Sequence, residues 1–92
     1  MKSLVFRREA KQDLLGIFSY LAKQGAAPTS IARVKDDIYD TVDRLRLWPD
    51  SGYAVHGQPG LRTTTPKYRF TVTYSNTPEH VEIVGVFRYQ NR

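Results

Sequence analysis

A chain of 92 residues, 40% hydrophobic and 25% charged, has room for a single modest core and is too apolar to remain wholly disordered. It carries no cysteine, which excludes disulfides, thiolate zinc sites and a cysteine nucleophile and removes any need for an oxidising compartment. Fourteen Lys and Arg against nine Asp and Glu give a net charge of +5, which suits an anionic partner as well as a merely solvated surface. The excess is uneven: residues 1–60 hold nine basic and seven acidic groups, residues 61–92 five and two, so the C-terminal third is the basic part. No run approaches the roughly 18 apolar residues of a membrane span. The start MKSLVFRREA turns charged too soon for the apolar region of a signal peptide. The expectation is a soluble cytoplasmic domain, residues 1–92, with no membrane partner.

In chain order, Lys2 to Phe6 is short and apolar-rich, and Val5 and Phe6 favour an extended first strand. Ala10, Leu14, Ile17, Phe18 and Leu21 then fall on one stripe of a 3.6-residue period and predict a helix, with Gly25 suited to its left-handed C-terminal cap. Thr29 or Ser30 is the expected cap of a second helix running towards Leu47. Its apolar stripe is Ile31, Val34, Ile38, Val42 and Leu45, and Trp48 before Pro49 ends it. The short GAAPTS connection makes the two helices an antiparallel hairpin.

Pro49 to Gly60 concentrates Pro, Gly, Asp and Ser and predicts an irregular surface loop. Three strands follow at Leu61–Thr65, Tyr68–Tyr74 and His80–Tyr89, each rich in β-branched and aromatic residues. In the middle one Tyr68, Phe70, Val72 and Tyr74 alternate with Arg69, Thr71 and Thr73, which sets Arg69 on the face opposite the aromatic set. Ser75–His80 is the hairpin to the last strand. The predicted class is α+β, in the order β-α-α-β-β-β, with a helical hairpin packed on a small antiparallel sheet.

Four segments, FRREAKQDLLGIFSYL, LRLWPDSG, GLRTTTPKYRFTVTY and VEIVGVFRYQNR, together resemble the RelE/ParE superfamily of toxins from type II toxin-antitoxin modules. The matching features are Phe6, Ala10, Asp13-Leu14, Ile17 and Tyr20, then Leu47, Pro49 and Gly52, then Gly60-Leu61-Arg62, Tyr68 and Tyr74. The Pro-x-x-Gly and Gly-Leu-Arg elements look more like ParE-like members, which inhibit DNA gyrase and are not nucleases, than like RelE-like members, which cut messenger RNA on the ribosome. Arg88 lies in the region where many ParE-like chains carry a histidine near the end of the last strand. The resemblance implies a cognate antitoxin, acidic or amphipathic, laying a helix or strand across the sheet edge and helical hairpin. It also implies DNA gyrase, or the ribosome with its mRNA, as the target.

RNA cleavage through the 2′-hydroxyl needs a base, cations for the charge growing on phosphate, and a proton source for the leaving oxygen. Lys67, Arg69, Arg88 and Tyr89 are the candidates for such a set if the chain is RelE-like, Arg69 in the Tyr-Arg pair being the one that resembles an arginine of the RelE-like active site. A full matching Lys/Arg/Tyr set is not evident, which favours the non-enzymatic alternative. Arg62, Arg69, Arg88, Tyr89 and Arg92 are the candidate target-binding residues, as cations and a stacking ring. A third alternative is a basic RNA-binding module without toxicity.

His56 and His80 are the only histidines and so the only candidate imidazole bases, but one lies in the turn-rich loop and the other opens a strand, so both are expected at the surface. Asp36, Asp37, Asp40 and Asp43 lie along a helix flank, where carboxylates do not converge on a cation, so no metal and no cofactor are expected. Asp13 is expected to be structural, and Trp48 to pack in the core or hairpin.

Overall fold

A computed structural model describes residues 2–58, 60–64 and 70–88, Arg88 by its backbone. The first strand, β1, is Ser3–Phe6, followed by α1 (Arg8–Lys23) and α2 (Pro28–Leu45). The apolar stripes that predicted the helices are the faces they bury. Ala10, Leu14 and Ile17 of α1 and Ile38, Val42 and Leu45 of α2 are buried, with Phe18, Leu21 and Val34 packed partly against them. Gly25 takes φ 82°, the left-handed conformation that closes α1. The start of α2 differs from the expected Thr29 or Ser30 cap. Ala27 is the N-cap and Pro28 the first helical residue, because proline's fixed φ suits that position and its missing N–H is not needed there.

The remaining strands are β2 (Tyr53–Ala54), β3 (Leu61–Thr64), β4 (Phe70–Asn76) and β5 (His80–Arg88). They form one five-stranded sheet in the order β1-β5-β4-β3-β2. Phe70, Val72 and Tyr74 alternate inward, as the period-two pattern requires. Opposite them, Val81, Ile83 and Val86 of β5 are fully buried or nearly so, and all six meet the helices in one core.

Two features depart from the expected small antiparallel sheet. The segment predicted as irregular loop contains β2, whose Tyr53 and Ala54 pair with Thr63 and Arg62. The sheet is also mixed, since β1 lies parallel to β5 with Ser3 beside His80 and Phe6 beside Ile83. β1 and β5, though far apart in sequence, are thus hydrogen-bonded neighbours running in the same direction. A bulge interrupts β5: Thr73 faces Gly85 whereas Tyr74 faces Ile83, leaving Val84 as the extra residue.

β1 covers β5 only as far as Ile83. Beyond it, the Asp13 carboxylate of α1 accepts a hydrogen bond from the Val86 backbone N–H at 3.0 Å. Asp13 is thus structural, as expected, and stands in for the missing strand neighbour. Among the described residues no helix is long and apolar enough to cross a membrane.

Candidate target-binding surface and its anchored loop

The segment Leu47 to Tyr53 leaves α2 and enters the sheet. A Pro-x-x-Gly spacing lets the chain turn sharply, and the turn closes with Ser51 N–H donating to the Trp48 carbonyl at 3.1 Å. Tyr74, fully buried on β4, reaches into this turn with its hydroxyl. That hydroxyl donates to the Pro49 carbonyl at 2.8 Å and accepts from the Gly52 N–H at 2.9 Å. Burial pushes the phenol pKa above its ordinary value of 10.0, so it stays a neutral donor. Gly52 is required because a Cβ there would lie 2.5 Å from the Tyr74 oxygen and 2.6 Å from the Thr63 carbonyl oxygen.

Arg62 locks the same loop from β3. It pairs with Tyr74 in the register and so projects from the same face. Its Nη1 donates to the Gly52 carbonyl at 2.9 Å and the Asp50 carbonyl at 3.3 Å, and its Nη2 lies 3.6 Å from the Asp50 carboxylate. Asn76 adds a bond to that carboxylate at 3.4 Å. The Pro-x-x-Gly, Gly-Leu-Arg and Tyr74 elements, scattered in sequence, are therefore one hydrogen-bonded unit.

Of the candidate functional residues, Lys67, Arg69, Tyr89 and Arg92 lie outside the described residues, as does Tyr68. Arg62 pairs with Tyr74, and Arg88 with Phe70. These partners are four positions apart on β4, about 13 Å at the rise of an extended strand, and the two arginines flank β4 on opposite sides. The register does not bring Arg62 and Arg88 together.

The histidines are also apart from this unit. His56 is exposed beyond β2, and His80, half-buried, closes the turn with Thr77: its N–H donates to the Thr77 hydroxyl at 3.0 Å and its carbonyl accepts from the Thr77 N–H at 2.9 Å. Asp36, Asp40 and Asp43 are exposed on α2, and among the described residues no three such groups gather as a metal site.

Trp48 corrects the expectation of a packed side chain. It is largely exposed, together with its neighbour Leu47 and with Tyr53. It follows the end of α2, where Trp48 N–H still bonds the Arg44 carbonyl at 3.0 Å, but by then the buried stripe has ended at Leu45. A second apolar feature was not foreseen. Phe6, Leu14, Leu15, Phe18 and Tyr39 line an open groove between α1 and α2, with Lys11 and Lys35 at its rim. The signal for it was in the sequence: Leu15 lies off the core stripe of α1, and Tyr39 off that of α2.

The chain matches no family model and no curated protein. Among solved structures it is similar to a chain of the chromosomal ParDE TA system from P. aeruginosa, with a TM-score of 0.82 and 23% identity, covering 98% of each chain. At that identity the likeness is one of fold, and it extends end to end.

Proposed function

We propose that this chain is the toxin of a type II toxin-antitoxin module, a ParE-like member of the RelE/ParE superfamily that arrests growth by blocking DNA gyrase. The observation that carries the reading is the end-to-end fold likeness to a chain of a ParDE system. The Pro49–Gly52–Arg62–Tyr74 unit supports it, because the ParE-like elements of the sequence prove to be one structural device. The protein works in the cytoplasm, where both partners would be met.

The same reading supplies an antitoxin. The α1–α2 groove, apolar with Lys11 and Lys35 at its rim, suits an amphipathic helix with acidic flanks. Covering it would shield Leu15 and Tyr39, which are otherwise exposed.

The rival is a RelE-like ribonuclease, favoured by the basic C-terminal third and by Arg69. Purified protein should be assayed against gyrase supercoiling and against messenger RNA on programmed ribosomes, with Arg69→Ala and Arg88→Ala alongside. Gyrase inhibition with intact messenger RNA is the expected result. Ribosomal cleavage with unaffected gyrase overturns it, and Arg69→Ala should then slow cleavage by roughly 10² to 10³, as for loss of one preorganised donor.

A further inference from the structure

Leu47, Trp48 and Tyr53 are 51, 60 and 81% exposed, three large apolar side chains within seven residues. Single exposed apolar residues are ordinary; three on a short, immobilised loop are not. The backbone beneath them is tied to Tyr74 and Arg62 at Pro49, Asp50 and Gly52. Aromatic side chains on such a rigid base make contact at low entropic cost, and Trp and Tyr dominate the residues that carry binding energy at protein interfaces.

The charges around the loop select the partner. Asp43 is paired with Arg46 at 2.9 Å and Asp50 with Arg62 at 3.6 Å. Lys2 and Arg44 are not neutralised in this way. Lys2 bonds Asn76 Oδ1 and the Thr77 carbonyl, and Arg44 bonds the Asp40 carbonyl; among the described residues neither has a carboxylate in salt-bridge range. Lys2 belongs to this rim because its carbonyl accepts from Arg46 Nε at 3.3 Å. The surface is an apolar anchor with a net positive border. A second copy would set these cations against their own equivalents. A nucleic acid would meet the Asp50 carboxylate, 76% exposed, between the flanking cations.

We propose that Leu47, Trp48 and Tyr53 form the surface by which this chain grips the protein it disables, and that the partner presents an apolar pocket bordered by Asp and Glu. The inference rests on the gyrase reading above. The surface is distinct from the α1–α2 groove, whose last residue on α2, Tyr39, lies six positions, about 9 Å of helix, before the helix ends at Leu45, with Leu47 beyond that end. An antitoxin in the groove and a target on the loop would therefore meet different side chains.

The test is binding of the full chain to purified DNA gyrase, for the wild type, Trp48→Ala, Tyr53→Ala and Arg44→Glu, with the melting temperature of each variant. Trp48→Ala is expected to raise Kd by about 30-fold or more, the usual mark of an interface hot spot, with little change in melting temperature because the ring is exposed. Arg44→Glu should slow association, and the wild-type association rate should fall as salt rises. Tyr53→Ala, at the sheet edge, gives a second measure if Trp48→Ala proves unstable. Wild-type binding that both aromatic variants retain in full overturns the inference and leaves the gyrase reading standing. No wild-type binding removes the gyrase reading and the inference with it. Binding of DNA alone that is lost in these variants overturns the protein partner.

Discussion

The Tyr74 hydroxyl connects the loop to the sheet through two bonds at once, so its removal should be felt out of proportion to one oxygen. Tyr74→Phe leaves the Gly52 N–H without its acceptor and the Pro49 carbonyl without its donor. A loss of about 1–3 kcal/mol is expected, read as a lower urea midpoint at unchanged slope. Gly52→Ala should cost a similar amount by overpacking, since its Cβ would enter the space of the Tyr74 oxygen and the Thr63 carbonyl. The hydroxyl also carries a pH signature. Its pKa is raised on folding, mainly by burial. Its contribution is thus fully present below the unfolded value near 10.0 and is lost as pH rises through the folded one. Wild-type stability should fall in alkali more steeply than that of Tyr74→Phe; parallel curves would show that the phenol is not the titrating group.

Among the elements, β5 is supported in two different ways along its length, and each makes a prediction. At its start it lies against β1, where Arg7 donates to Glu82 at 2.9 Å. That hydrogen bond is the main reason the Glu82 pKa is lowered from its ordinary value of 4.5. Its contribution is present above that value and lost as pH falls through the depressed one, so Glu82→Gln should flatten the acid limb of the stability curve. Farther along, Asp13 replaces a strand. Asp13→Ala should leave the Val86 N–H unsatisfied at about 1–3 kcal/mol and speed its hydrogen exchange, while Asp13→Asn, which keeps an acceptor, should lose less. The helices and the inward face of β4 were legible in the sequence because each repeats a simple period over several turns or pairs. β2 was not, because two residues cannot display a period, and Tyr53–Ala54 is a strand only through its pairing with Thr63 and Arg62. The bulge at Val84 and the parallel partnership of β1 are likewise set by distant segments. The motif residues of the candidate site were visible, whereas their convergence on the Tyr74 hydroxyl was not. The exposure of Trp48 was missed although the stripe already stops at Leu45 in the sequence, because a large indole beside a helix end suggests packing.

For the molecule as a whole, one core joins both helices to one sheet face, and its centre is where substitution should cost most. Ile83 and Ile38 are fully buried and come from opposite layers. Ile83→Ala and Ile38→Ala should each cost about 2–5 kcal/mol, a large share of what a small domain has to lose, with melting temperature as the readout. A loss below about 1 kcal/mol at both would mean that the core is less tightly packed than its burial implies. The parallel pairing of Ser3–Phe6 with His80–Ile83 has a consequence in time. β1, the earlier strand of this pair, cannot find its neighbour until more than seventy further residues exist, and closing so long a stretch is entropically slow. During translation the helical hairpin can form by local contacts, but β1 remains an unpaired edge until β5 has left the ribosome. The nascent chain therefore has no finished sheet at any intermediate length, and a ribosome stalled before His80 should hold a protease-sensitive polypeptide.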